Sequence, residues 1–476
     1  MTSPAIASIP KATSTFAAPR REWFQTIGYC LLLSIFGLFV SPAILLLAMF
    51  LMWRWQTNRY AFLVELILFM GGFAFVSNEI LPVKLWDLAF ILGVVGIMIY
   101  RKNRLVRKLT WMTLGYIAIL ILLAMTSAES MKVQFLMMRR YFLVIAFFIP
   151  LLVFVNRDFD WKEFAHQVTL HVLVICGFYV VDTMILNGYV LLPASNPWEL
   201  GATFTDIRIS LFSFSFPRHY PPGLYWLFLL IVPINYGWVK LSAPQWVMVV
   251  LAVFATKTNS LLFALLICFA LFRPQVKQAL LWLLGGALLV VALYYVDSAT
   301  GRHLRLADNI EQFTSLQTAQ DEEDLAEFGT GRMAQIIPKW QHLSDMGRLD
   351  RGFGFLHPTK STNPIFQIQN DFYSDISKSE EVATAVEVTQ VQTILDCGWI
   401  GLLAQTLYFV GIYFVIRRLR YSLIYLCLVV GYSLLGVGGF AGLFFPASLL
   451  LITMVLGAIV LENRPKGRHP QPAEAK

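Results

Sequence analysis

Six cations and one carboxylate hold the chemical promise of this 476-residue chain: Arg139, Arg140, Arg208, Arg218, Lys257, Arg332 and Glu387. The cations stand apart from the denser Lys/Arg clusters, beside apolar runs or in the connections between them. Several cations converging on one face suit an anionic ligand, and Arg332 has the most specific setting. The segment from Gly329 to Ile337 predicts a flexible approach, Thr330 as N-cap and a helix start, which puts Arg332 in the first turn beside unpaired backbone N–H groups. A helix N-terminus with an Arg is a phosphate seat.

Met333, Ile336, Ile337 and Trp340 follow at i, i+3, i+4, i+7 spacing, so this helix carries one apolar stripe, with a kink expected at Pro338. The stripe lies on the membrane surface or the top of a bundle, or forms a small core of its own. Glu387 enters an apolar run at 393–416 and is expected at its boundary, within reach of Arg332. A carboxylate in a partly desolvated cationic pocket serves as general base toward a hydroxyl, or as one half of a structural salt bridge. His219, Tyr220 and Trp340 could line a sugar path. Glu65 and Asp182 fall inside apolar runs and need partners, Arg or Lys before a proton relay. The run Asp321-Glu322-Glu323-Asp324 lacks the spacing of a calcium loop and reads as solvated surface.

The elements that must position these groups are set by composition. With 57% hydrophobic and 14% charged residues, and a mean hydropathy of +0.64, the chain has more apolar surface than one soluble core hides, which excludes a soluble enzyme. Apolar runs occur at about 23–40, 42–55, 61–79, 82–100, 109–127, 139–155, 164–190, 222–238, 244–256, 260–273, 279–296, 393–416, 421–437 and 441–461. This predicts an all-α polytopic integral membrane protein with 12–14 transmembrane helices. The pairs around 42–55 and 244–273 are short and could each be one long or re-entrant element.

The net charge of +8 comes from scattered clusters and forms no nucleic-acid patch. Threaded from a cytoplasmic N-terminus, 22 of the 37 Lys/Arg fall inside and the short outer loops hold seven. The expected organisation is a disordered cytoplasmic tail without a signal peptide at 1–22, an N-terminal bundle at 23–296, a large periplasmic loop at 297–392, C-terminal helices at 393–461 and a cytoplasmic tail at 462–476. The five cysteines show no CxxC pair or zinc spacing, so neither a disulfide framework nor a zinc site is expected.

Gly331-Arg332 with Trp340, then Gly352-Phe353-Gly354-Phe355, then Glu387 eleven positions before Gly398-Trp399-Ile400-Gly401-Leu402, resembles the O-antigen ligase and O-antigen/exopolysaccharide polymerase family over roughly residues 109–440. Arg139 followed by Leu143 resembles its Arg-x3-Leu element. Arg208 through Pro217-Arg218-His219-Tyr220-Pro221-Pro222 is similar to its Arg-then-Pro loop, and Lys257 stands where many members have an Arg. The resemblance implies a C-type membrane glycosyltransferase fold and an inverting enzyme at the periplasmic face of the bacterial inner membrane, both termini cytoplasmic. Its substrate would be an undecaprenyl-diphosphate-linked glycan, with no cofactor or metal. Membrane lipid and a chain-length regulator protein are the candidate partners. Arg139, Arg140, Arg208, Lys257 and Arg332 would bind diphosphate, Arg332 and Glu387 would be catalytic, and Arg218, His219, Tyr220 and Trp340 would meet sugar or acceptor.

Glu387 stands where ligase-like members carry His, which favours the polymerase branch. The alternatives are a ligase that transfers a finished chain to lipid A core or protein and, from another class, a lipid-glycan flippase or secondary transporter. The absence of an internal repeat between the two halves argues against the transporter.

Overall fold

Where water is scarce, each backbone N–H and C=O needs a partner within its own segment, so long apolar runs become helices. The computed structural model describes residues 11–38, 43–72, 87–127, 129–155, 157–184, 208–211, 214–217, 222–256, 259–299, 332–355, 388–438, 443 and 446–464, and each apolar run meets a helix there. The first are α1 (Arg20–Leu38), α2 (Ala43–Thr57), α3 (Arg59–Gly72), α4 (Asp87–Tyr100) and α5 (Arg104–Met125). A composite span follows, made of α6 (Met131–Met138), a 3-10 stretch (Arg139–Phe147) and α7 (Phe148–Val153). Next come α8 (Trp161–Met184), the antiparallel pair β1 (Arg208–Leu211) and β2 (Phe214–Pro217), and a 3-10 turn (Pro222–Leu227) leading into α9 (Phe228–Asn235). The rest are α10 (Ala243–Thr256), α11 (Asn259–Leu271), α12 (Val276–Ala299), α13 (Arg332–Asp345), α14 (Thr389–Ile416), α15 (Ser422–Gly438) and α16 (Pro446–Glu462).

The fold is helical apart from that one hairpin among the described residues. Four of the described helices are long and apolar enough to cross a membrane: Arg104–Met125, Met131–Val153, Trp161–Val181 and Thr389–Ile416. On α14, Leu403, Leu407, Val410 and Phe414 form an exposed stripe at helical spacing, a surface suited to lipid rather than water. The runs at 244–256 and 260–273, for which the sequence allows one long or re-entrant element as the alternative, are two helices, α10 and α11, which end and begin on either side of residues 257–258.

Glycines let the centre pack closely. The 3-10 stretch buries every side chain from Tyr141 to Phe147. A Cβ on Gly93 would meet Ile145 Cγ2 at 2.6 Å, one on Gly96 would meet the Phe148 ring, and one on Gly457 the Phe147 carbonyl. Small residues at such crossings admit backbones that a larger side chain would hold apart.

Two expectations are corrected. The helix expected over 139–155 begins at Met131, so Arg139 and Arg140 follow two turns of helix rather than opening it. Met131 to Met138 supplies a further apolar turn that the double Arg hides from a run-based reading. The tail expected to be disordered over 1–22 makes specific contacts from Ala12 onward: Ala12 N–H donates to the Gly237 carbonyl (2.7 Å) and Phe16 N–H to the Lys240 carbonyl (2.6 Å), and α1 starts at Arg20. Phe16 anchors it, its ring 5.0 Å from that of His166.

Contacts between connections sort them into two ends. At one end Arg59 reaches the Val153 carbonyl (2.8 Å), Trp161 N–H reaches Glu462 (3.0 Å) and Arg420 N–H reaches Asn463 (3.0 Å). At the other, Ser127 reaches the Phe353 carbonyl (2.6 Å) and Arg348 reaches the Thr126 carbonyl (2.8 Å). Between the ends, Glu65 is closed in by Arg54 (Nε to Oε1 2.8 Å) and by His171 (Nε2 to Oε1 3.5 Å). Arg54 also donates to Gln25 (2.9 Å), and the side chains of Arg54 and Glu65 are 2% and 0% exposed.

Candidate functional site

The site forms where α14 is broken. Gly398 has φ 67 and ψ −173, left-handed backbone that interrupts the helix and favours glycine. An unbroken helix would bond Trp399 N–H to Leu395 and Ile400 N–H to Asp396. Instead Trp399 N–H donates to the Leu349 carbonyl (2.9 Å) and Ile400 N–H to the Asp350 carbonyl (3.1 Å). The freed carbonyls of Leu395 and Asp396 accept from Phe353 (2.7 Å) and Gly354 (3.0 Å). The segment 349–354 is thus spliced into the ladder of a membrane-length helix and satisfies four groups that lipid could not.

The Gly-rich elements at 352–355 and 398–402 meet here. A Cβ on Gly352 would lie 2.6 Å from the Leu395 carbonyl oxygen, and one on Gly398 would strike the Asp350 carbonyl. Ser127, Arg348 and Gln134 secure the segment from the other side, Gln134 by accepting from Phe355 N–H (3.4 Å) and donating to the Ala124 carbonyl (2.8 Å). Above it, Ile336, Trp340 and Leu343 of α13 pack on Phe353, Ile394 and Leu395. The amphipathic stripe therefore rests on the top of the bundle, and α13 runs through Pro338 as one helix.

Beneath this cover lies a polar cluster. Asp396 accepts at Oδ2 from Arg140 (3.1 Å) and from the Tyr141 hydroxyl (3.1 Å), and at Oδ1 from Gln392 (2.6 Å). Arg140 also donates to the Tyr141 hydroxyl (3.2 Å), and its guanidinium lies 5.0 Å from the centre of that ring. The Arg140 and Asp396 side chains are 28% and 8% exposed, and Arg140 Nε is buried with no hydrogen-bond partner among the described residues. Arg139 is half-buried next to it. Lys339, on α13, is 9% exposed; burial pulls its ammonium down to about 8, against the pull of Asp396, which favours the charged form. Arg140 thus pairs directly with Asp396, and the Lys339 ammonium feels the same carboxylate, in a partly desolvated setting.

Of the expected site residues, the structure brings Arg140 and Trp340 to this end, with Arg139 beside Arg140. Trp340 is a packing residue here, edge-on to Trp399 with ring centres 6.1 Å apart. Arg332 opens α13, two turns before Lys339 and on the same helix face. Arg208 opens β1 opposite Pro217, in a connection read from sequence as a plain loop. Asp182 is in the last turn of α8. Lys257, Arg218, His219, Tyr220, Glu387 and the Asp321–Asp324 run lie outside the described residues.

Sequence reasoning missed Asp396 and Lys339. Asp396 had the signal already applied to Glu65 and Asp182, an acid within an apolar run. Lys339 had none, since its burial depends on which face of α13 turns toward α14. Among the described residues no group of His, Cys, Asp or Glu is placed to hold a metal ion, and all five cysteines are free and buried. The chain matches no protein-family model and no curated protein.

Proposed function

We propose that the chain is a membrane glycosyltransferase that joins lipid-diphosphate-linked oligosaccharide repeats into a polysaccharide, a polymerase of the O-antigen/exopolysaccharide type. The observation that carries this reading is the partly exposed Arg140–Asp396 pair with the Lys339 ammonium near the same acid, at the end of the bundle to which the positive-inside tendency assigns the outer face. In this reading the protein spans the bacterial inner membrane 12–14 times with both termini cytoplasmic. The sorting of connections into two ends supports it, because every pair named above joins segments that the charge pattern puts on one side.

The reaction asks for a site that stabilises negative charge as a bond breaks. A hydroxyl of one repeat attacks the anomeric carbon of another. A new C–O bond forms, the bond to the diphosphate breaks, and its electron pair leaves on the lipid diphosphate. Arg140, fixed in orientation by Asp396 and Tyr141, would hold that diphosphate with Arg139, Lys339 and Arg332, and Arg208 and Lys257 would complete the set. Glu387, two residues before α14, would take the hydroxyl proton. Arg218, His219 and Tyr220 would line the acceptor path.

The test is genetic and chemical together. Deletion should leave single repeats on the lipid diphosphate, and complementation with Arg140→Ala at normal protein level should not restore long chains. Long chains stranded on the lipid carrier would instead assign the ligase reading, and repeats held on the cytoplasmic side would assign the flippase.

A further inference from the structure

At the opposite end of the molecule, residues 11–17 form a strap over a cavity of about 390 Å³, within the size range of small-ligand sites. The strap is pinned by its bonds to Gly237 and Lys240 and by Gln245, which donates to the Phe16 carbonyl (3.2 Å). Lys11, Lys162 and Lys240 line the cavity with His166 and the hydroxyl residues Thr13, Ser14 and Thr15, and among the described residues no carboxylate lines it. The acids nearby are already engaged: Glu22 by His166 (2.9 Å), Asp160 by Lys162 N–H (2.9 Å) and Glu462 by Trp161 N–H (3.0 Å). One wall is aromatic, with Trp161 stacked on Tyr421 (ring centres 4.5 Å apart) and Trp238 edge-on to Tyr421 (5.4 Å). Trp161 is 4% exposed, and its indole N–H is buried with no hydrogen-bond partner among the described residues.

A buried donor left unused costs free energy unless a ligand takes it up. Three ammonium groups without a facing acid, an idle indole N–H and a row of hydroxyls ask for an acceptor-rich anion. The cavity lies where α8 starts and α9 ends, the level at which Trp and Tyr gather at a membrane boundary. We propose that this cavity binds a phosphate ester, the headgroup of an anionic phospholipid, beneath the 11–17 strap. The site is separate from the Arg140–Asp396 cluster and does not rest on the transferase reading.

The test uses the full chain, stripped of lipid in detergent and followed by native mass spectrometry. Three probes are titrated: dihexanoyl-phosphatidylglycerol, dihexanoyl-phosphatidylcholine and inorganic phosphate. One adduct of phosphatidylglycerol is expected at concentrations where phosphatidylcholine gives none. The triple substitution Lys11→Ala, Lys162→Ala, Lys240→Ala, on exposed lysines, should weaken it by at least about tenfold. Trp161→Phe, which keeps the stacking and removes the donor, should weaken it about threefold. Competition by inorganic phosphate would make the natural occupant a free phosphate; no competition would make it the lipid. Equal binding of phosphatidylcholine, or full affinity in the triple variant with an unchanged melting temperature, overturns the proposal.

Discussion

Two ion pairs in this molecule have similar distances and differ in exposure and in the charge around them. Arg54 and Glu65 are 2% and 0% exposed, one cation to one acid, with Gln25 and His171 filling the remaining directions. Arg140 and Asp396 are 28% and 8% exposed, with the further ammonium of Lys339 near the same acid. The first is closed, and ties α2, α3 and α8 together. The second has a further cation, Lys339, near its acid and remains partly open. An ion pair that pins helices has no reason to be surrounded by spare charge, whereas a pair that awaits an anion does.

The comparison can be broken most forcefully at the closed pair. Arg54→Ala leaves a buried carboxylate without its cation and should cost about 3–5 kcal/mol, read as a large fall in melting temperature and yield in detergent. Adding Glu65→Gln to that variant should recover part of the loss. Arg140→Ala should do the reverse, leaving the melting temperature nearly unchanged while cutting chain extension about 10²–10³-fold, measured on polysaccharide ladders. A normal ladder would make the outer pair a second structural tie.

Gly398→Ala comes next, at about 1–3 kcal/mol, because its backbone is left-handed and the Asp350 carbonyl occupies the space. Gly115→Ala is the control, with nothing within 4 Å of the added methyl, and should be neutral or slightly stabilising.

The smallest expected effect is on pH. Burial lowers Lys339 to about 8, so above that pH the native state sheds a proton that the unfolded chain keeps until the ordinary lysine range. Stability should therefore rise with pH across that window, while chain extension, which in the proposed function uses the ammonium, should fall. Lys339→Arg keeps its charge at those pH values and should remove the alkaline fall. A fall that persists in Lys339→Arg assigns it to another group.

Much of the architecture was written in plain view. The apolar runs became helices within a few residues because a lipid-facing segment has one way to satisfy its backbone. The glycine elements at 352–355 and 398–402 were visible as motifs, but their pairing was not, since two positions almost fifty residues apart announce no hydrogen bonds. The charged partners were harder still. Arg140 was visible, yet Asp396 lay inside Thr393-Ile394-Leu395-Asp396-Cys397, where the surrounding apolar letters concealed it, and the burial of Lys339 is a matter of helix rotation.

The splice of residues 349–354 into α14 also bears on how the protein is made. That helix has two donors and two acceptors that its own turn cannot close, and the strip that closes them precedes it in the chain and is translated first. Folding of the last three helices is then a joint event between that hook and an incoming rod, and a chain with the hook cut away should stall at that step, unfinished, with its earlier helices formed.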